Sequence, residues 1–181
     1  MLDSEKIGLQ VQRWLDEVVI GLGLCPFAGQ PVAKGLHHIA VLDVQSIDAA
    51  LVALKIECEK LMTIAPKEVE TSLLILPYLF DDFLDFNDFM SEANNLLAEN
   101  DWSSQLQLAS FHPRYQFFGT DPEAASNLTN CSPYPIIHIL REDSVTWAVK
   151  NHPDICAIPE RNMAVMEALS ADQIAHLFPF R

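Results

Sequence analysis

Residues 71–76, with the sequence TSLLIL, form the stretch that decides the fold. Such a short, continuous apolar run, with Pro77 directly behind it, is typical of a central strand that is buried on both faces. Apolar residues recur at helical spacing on either side of this run, over residues 47–61 after Ser46 and over residues 83–97. The stretch is therefore predicted to be a strand between two helices.

Two further strands are predicted outside those helices, at residues 36–42 and 105–111, where strand-forming residues are concentrated. The order strand, helix, strand, helix, strand predicts an α/β fold with a small parallel or mixed sheet. Extra helices are expected at the N-terminal end (residues 4–22) and at the C-terminal end (residues 159–169 and 171–177). Half of the 181 residues are hydrophobic, so we expect residues 1–181 to form a single globular domain.

Residues 135–150 allow two interpretations: one helix throughout, or a strand over 136–140 followed by a helix from Glu142. We favour the single helix, because Pro133 and Pro135 suit a first helical turn and Trp147 continues an apolar stripe. The same reasoning predicts that Trp14 and Trp147 lie in the core. Residues 25–31 and 114–132 are predicted to be loops, and a loop as long as the second is usually functional or mobile.

The charge balance excludes two classes of partner. The chain has 11 basic and 25 acidic residues, a formal net charge of −14. Nucleic acids and anionic membrane surfaces are both bound through Lys and Arg, so neither is expected as a partner. No apolar run approaches the roughly 20 residues that span a bilayer. The N-terminal sequence MLDSE has no basic region followed by an apolar stretch, so no secretory signal is expected. We therefore expect a cytoplasmic protein with reduced thiols.

Five motifs carry a family resemblance. They are LCPFA at 24–28, FHPRY at 111–115, NLTNCSPYP at 127–135, HILRE at 138–142 and IPERN at 158–162. In this order the motifs resemble the bacterial domain-of-unknown-function family numbered 1415, over nearly the whole chain. The resemblance supplies no activity, so a function has to be argued from the residues.

Among the polar residues of these motifs, His112 and Arg114 directly follow a predicted strand, and His112 leaves it beside the long loop that holds Asn127, Asn130 and Ser132. Ligands of open α/β sheets bind outside the carboxyl ends of the strands, where we expect the site. The candidate site residues are His112, Arg114, Asn127, Asn130, Ser132, His138, Arg141 and Glu142. In an enzyme His112 would be the acid or base, the two asparagines would orient the substrate, and Arg114 or Arg141 would hold an anionic group. The alternatives are that His112 pairs with loop backbone and that the arginines neutralise nearby acids.

These residues predict a protein that binds an anionic small molecule, as a binding protein or as an enzyme of unassigned reaction and cofactor. One alternative is a non-catalytic acidic interaction protein. A weaker alternative is a metal site at His112, His138 and Glu142, because a helix would place the last two on one face. Cys25 follows the C-terminal end of a helix, which disfavours a thiolate, so a small buried thiol is expected there.

Overall fold

The computed structural model describes residues 3–181. A mixed sheet of four strands lies at the centre of this described part, in the order β1-β2-β4-β3. The strands are β1 (His37–Val41), β2 (Thr71–Ile75), β3 (Leu106–Phe111) and β4 (Ile136–Arg141). β1 and β2 run parallel, whereas β4 is antiparallel to both of its neighbours, β2 and β3. This arrangement confirms the predicted α/β fold with a mixed sheet and extra terminal helices.

The α-helices in residues 3–181 are α1 (Ser4–Trp14), α2 (Gly29–Ala33), α3 (Ile47–Thr63), α4 (Phe83–Glu99), α5 (Glu142–Asn151), α6 (Ile158–Glu167) and α7 (Ala171–Leu177). A π-helical turn over Leu15–Ile20 continues α1, and 3-10 turns occupy Ala125–Asn130 and Ile155–Ala157. Side chains of Asp3, Ser46 and Asp82 accept hydrogen bonds from the first-turn N–H groups of α1, α3 and α4. Local capping thus fixes where these three helices begin.

The sheet separates two apolar layers. On one face α3 and α4 pack residues such as Leu54 and Phe86 against Leu74 and Ile137. On the other face α1 packs Val11 and Trp14 against Ile75 and Ile136, and Met166 and Phe178 from the C-terminal segment join them. β2 is buried on both faces along its whole length, as its sequence predicts. None of the helices within residues 3–181 is both long and apolar enough to cross a bilayer.

The favoured single helix over residues 135–150 is wrong, and the alternative of a strand followed by a helix is correct. Ile136, Ile137 and Ile139 are buried within β4, between β2 and β3. The helix begins only at Glu142. The face that it turns towards the protein therefore differs from the face predicted by the apolar stripe of a single helix over residues 135–150. Ala148 therefore faces the protein, and Trp147 is 65 % exposed rather than in the core.

The segment 25–31 also differs from its prediction as a loop. α2 begins at Gly29, and Pro31 lies in its first turn. Proline is tolerated there because the first N–H groups of a helix have no intrahelical partner. Trp14 is buried as predicted, and its indole N–H donates to the carbonyl oxygen of Cys131.

Candidate functional site

A cavity of about 380 Å³ lies on the face of the sheet that carries α1. Its floor consists of alternate strand residues, which point to the same face. In the strand registers Leu73 and Ala109 lie on either side of His138, and Gln107 lies opposite Leu140. The neighbouring row, which includes Ile75 and Ile136, is covered by the α1 core. The cavity therefore begins where the α1 core ends.

The walls of the cavity come from α5 and from the segment that contains α2. Because α5 starts directly after β4, its side chains Val145 and Ala148 turn back over the sheet. Phe27 and Val32 form the wall opposite, and Phe27 meets the ring of His152 edge-on at 5.5 Å. A largely apolar concavity with a few convergent polar groups is the usual form of a small-molecule site.

His138 is the polar residue whose hydrogen bonding is most completely determined. Its Nε2 lies 2.7 Å from Thr71 Oγ1, and the Thr71 hydroxyl donates to the carbonyl oxygen of Ile139 at 2.7 Å. A hydroxyl has a single hydrogen, so Thr71 can only accept from His138 and the proton resides on Nε2. His138 Nδ1 therefore presents a lone pair, and Nε2–Thr71 is the only hydrogen bond of this ring within residues 3–181.

Desolvation at the floor of the cavity keeps this imidazole neutral, although the residue as a whole is only partly buried. Desolvation lowers the pKa of His138 from its ordinary 6.5 to about 4. No carboxylate of the described residues lies within ion-pair distance of the ring to oppose this effect. At neutral pH His138 is thus an uncharged hydrogen-bond acceptor.

A second histidine lines the same cavity. His37 Nε2 lies 2.7 Å from Oε1 of Gln12, to which it donates. Its Nδ1 is buried and has no partner within the described residues. Two imidazole rings, each with an unpartnered Nδ1, therefore line one cavity.

Arg141 lies at the edge of the cavity, and strand alternation places its side chain on the α3 face of the sheet, with Ile137 and Ile139. Its Nη2 donates to the carbonyl oxygens of Ile64 and Val69 at 2.8 and 2.9 Å, which holds the side chain in place. Its Nε is buried and without a partner within residues 3–181. Burial lowers the pKa of Arg141, and the carboxylate of Glu70, which also lines the cavity, opposes this shift. The guanidinium remains charged at any physiological pH.

A family model described as a protein of unknown function, DUF1415, matches residues 6–176 of the chain. The chain belongs to this family. The match confirms the resemblance that the five motifs carry. No curated protein and no solved structure matches the chain.

The structure of this DUF1415 chain divides the predicted site residues between two places. His138 and Arg141 line the cavity, which lies where β1, β2 and β3 begin. His112, at the carboxyl end of β3, lies at the other end of the sheet. Because β4 is antiparallel to β3, its last residue, Arg141, is paired with the first residue of β3, Leu106. The parallel-strand rule placed the expected site at the carboxyl ends, away from this cavity.

His112 is held by backbone groups at both ring nitrogens. Its Nε2 donates to the carbonyl oxygen of Phe80 at 2.8 Å, and its Nδ1 accepts the N–H of Arg114 at 3.0 Å. The ring stacks on Phe86 of α4 with a centroid distance of 5.4 Å, and burial lowers the pKa of His112. This is the geometry of a histidine paired with loop backbone, and it leaves neither ring nitrogen open to a substrate. A catalytic role for His112 stays a prediction.

Asn127 organises the long loop that follows. Its side chain is completely buried. The amide oxygen accepts from the N–H of Phe117 and the hydroxyl of Thr120, and the amide nitrogen donates to the carbonyl oxygens of Asp121 and Pro122. All hydrogen-bonding positions of this amide are filled by its own loop.

The remaining predicted residues also lie outside the cavity lining. The Ser132 hydroxyl donates to the carbonyl oxygen of Tyr134, and the side-chain oxygen of Asn130 accepts from a neighbouring threonine at 3.2 Å. Arg114 is exposed, and Glu142 begins α5. The predicted substrate-binding roles of these four residues stay predictions.

The structure does not bring the three proposed metal ligands together. His112 packs against α4, whereas His138 lies on the opposite face of the sheet, and Glu142 belongs to the next helix. Within residues 3–181 no group of three or more His, Cys, Asp or Glu side chains is arranged to hold a metal ion.

Sequence reasoning missed one polar cluster on the α3 face of the sheet. Glu57 is 4 % exposed and accepts hydrogen bonds from Ser72 at 2.8 Å and Lys60 at 3.1 Å, and it pairs with His38 Nδ1 at 2.6 Å. Burial alone would raise the pKa of Glu57, but these three hydrogen bonds lower it. The sequence feature that could have revealed this cluster is Glu57 itself, because a charged residue next to Cys58 lies on the apolar side of α3.

Proposed function

We propose that this DUF1415 protein binds a small molecule with a largely apolar body in the cavity between the sheet and α5. The observation that carries the proposal is a cavity of about 380 Å³ with apolar walls and two lining histidines, His37 and His138, that each keep one ring nitrogen without a hydrogen-bond partner within residues 3–181. Protein interiors contain few voids larger than a water molecule, so a space of this size is a feature of the fold and not a packing defect.

The volume limits the size of the ligand. An apolar cavity of roughly 150 Å³ accommodates benzene, with its six carbon atoms. By proportion, this cavity holds about 15 non-hydrogen atoms. Leu73, Phe111 and Val145 provide apolar contact for the body of such a molecule, and His138 meets its polar group.

An anionic ligand, as the sequence predicts, would place its charge at Arg141. The unpartnered Nε–H is a charge-assisted donor, and such bonds are among the stronger ones in proteins. Glu70 lines the same cavity, so the negative group would have to lie on the Arg141 side. The proposal covers a binding protein and an enzyme alike, and the cytoplasmic location expected from the sequence stays part of it.

The test uses two probes of suitable size, 2-naphthol and 2-naphthoate, in thermal-shift and calorimetric titrations. At a hundred times its dissociation constant a bound probe stabilises the fold by about 2.7 kcal/mol, which raises the Tm of a chain of this length by roughly 5–10 °C. Ala148→Phe fills the cavity from α5 and should abolish the shift, whereas Thr146→Phe adds the same ring at an exposed position of α5 and should retain it.

Two outcomes would contradict the proposal. In one, neither probe shifts the Tm of the wild-type protein. In the other, Ala148→Phe remains folded and binds the probes as well as Thr146→Phe does, which would place them elsewhere.

A non-catalytic interaction protein remains a second candidate, favoured by the net charge of −14. Asp81, Asp82, Asp85 and Asp88 are all exposed around the start of α4 and would face a basic partner. The discriminating result is salt-sensitive binding of an octalysine peptide, measured by fluorescence anisotropy, together with no response to either naphthalene probe. Loss of peptide binding when all four aspartates are changed to asparagine would place the contact there.

A further inference from the structure

We infer that the cavity selects an uncharged molecule that donates a hydrogen bond to His138 Nδ1, so that its ligand class is a small apolar alcohol or phenol. The inference rests on the proposed function and narrows it. Its basis is the hydrogen-bond chain that runs from Ile139 through Thr71 to His138.

The first step is the direction of this chain. The backbone carbonyl of Ile139 can only accept, so the Thr71 hydroxyl must give it its single proton. The imidazole nitrogen that faces Thr71 must then carry the proton of the ring. This conclusion holds for either orientation of the ring, because the nitrogen away from Thr71 is left as the acceptor in both.

The second step is the chemistry of the free nitrogen. A carboxylate, ether or carbonyl oxygen placed against His138 Nδ1 would bring two lone pairs together and leave both groups unsatisfied. A hydroxyl or N–H completes the chain instead. Sites built around a buried hydrogen bond discriminate strongly against analogues that lack the matching group.

The third step concerns charge. Leu73 and Ala109 flank His138 in the sheet, and the Phe111 ring lies 6.3 Å from it, so protonation would place a cation among apolar groups. The low pKa of His138 agrees with this environment. The ring therefore does not attract an anion at neutral pH.

His37 lines the same cavity, and its buried Nδ1 also has no hydrogen-bond partner within residues 3–181. The Arg141 guanidinium, by contrast, is held against the carbonyl oxygens of Ile64 and Val69 in the segment that follows α3. A molecule with a hydroxyl matches the two rings better than one with a carboxylate.

The experiment compares 2-naphthol, which donates a hydrogen bond, with 2-methoxynaphthalene, which has the same rings and cannot donate. Both fit within the limit of about 15 non-hydrogen atoms. Wild-type protein should bind 2-naphthol about tenfold more tightly by calorimetry, the ratio that a buried hydrogen bond supplies. In His138→Phe, which keeps a ring of similar shape, this ratio should fall to near one while 2-methoxynaphthalene still binds.

A measurement on the unmutated chain keeps the test independent of how the variant folds. In protein labelled with ¹⁵N-histidine, the His138 Nδ1 resonance should be of the unprotonated type. It should move on addition of 2-naphthol and stay in place with 2-methoxynaphthalene.

The outcomes separate the two claims. If wild-type protein binds the two neutral probes equally, or binds 2-naphthoate more tightly than 2-naphthol, the inference is overturned and the proposed function stands. If 2-naphthol, 2-methoxynaphthalene and 2-naphthoate all fail to bind, the proposed function falls and the inference with it. A His138 Nδ1 that is protonated in the free protein also overturns the inference.

Discussion

The burial of His138 should make the protein less stable as the pH falls. Its pKa is about 4 in the folded chain, against 6.5 when the side chain is free in the unfolded chain. Between these values the unfolded state binds a proton that the folded state does not. The free energy of unfolding therefore decreases as the pH falls below 6.5 and stops decreasing, for this group, below about 4.

The size of this change in the free energy of unfolding follows from the shift in the pKa of His138. Each unit between the two pKa values corresponds to about 1.4 kcal/mol, so the full effect is about 3 kcal/mol. Between pH 7.5 and pH 5.5 His138 should lower the free energy of unfolding by about 1.3 kcal/mol. His112 acts in the same direction, because burial lowers its pKa too. The share of His138 must therefore be measured by difference.

Urea denaturation of wild type and His138→Phe at these two pH values isolates that share. Between pH 7.5 and pH 5.5 the free energy of unfolding of wild type should fall by about 1.3 kcal/mol more than that of the variant. Trp147→Phe changes an exposed ring of α5 and no titratable group, so it is the matched control, and its free energy of unfolding should fall as much as that of wild type. Equal losses in wild type and His138→Phe would refute the conclusion that His138 is buried as a neutral ring.

Three further predictions concern the rest of the fold and the cavity. His112→Ala should lower the free energy of unfolding by about 2–4 kcal/mol, because two backbone groups lose their partners, and should leave 2-naphthol affinity unchanged. Urea denaturation and calorimetry check this, and weaker probe binding in the folded variant would contradict it. Trp147→Ala should change stability by less than about 0.5 kcal/mol, since the ring is 65 % exposed, and a larger loss in urea denaturation would show that the ring packs. Saturating 2-naphthol should slow alkylation of Cys25, which lines the cavity, and leave that of exposed Cys156 unchanged, as followed by peptide mass spectrometry. Equal rates at Cys25 with and without the probe would argue against occupancy of the cavity.

The parts of the fold that depend on local pattern could be predicted from the sequence. The run at 71–76 had both faces apolar, and the flanking stripes had helical spacing, with Ser46 as the cap of the first helix. Each of these signals lies within a few residues of the element that it specifies. The order of elements then restricted the sheet to a parallel or mixed arrangement.

β4 shows where local reasoning fails. Two prolines and a coincidental apolar stripe favoured a helix. The β-branched residues Ile136, Ile137 and Ile139 were the available signal for a strand. The packing of Ile137 and Ile139 against α3 and α4, and of Ile136 against α1, decided the outcome. Because of this misassignment, Trp147 was predicted to lie in the core. His138 and Glu142 were predicted, for the same reason, to share one face of a helix.

The cavity could not be predicted, because it arises from contacts between distant parts of the chain. The hydrogen bond from His138 to Thr71 joins residues 67 positions apart. The antiparallel course of β4 also brings Arg141 to the end of the sheet where β2 begins, which the parallel-strand rule did not anticipate. Of the predicted site residues, His138 and Arg141 thus line the cavity for reasons that are visible only in three dimensions.

The central claim is that a small molecule occupies the cavity beside His138, and a crystal structure with 6-bromo-2-naphthol tests it most directly. The account predicts an anomalous bromine peak between the sheet and α5, with the hydroxyl oxygen at hydrogen-bond distance, about 2.8 Å, from His138 Nδ1. An empty cavity in crystals grown at saturating ligand, or bromine peaks confined to the outer surface, would contradict it.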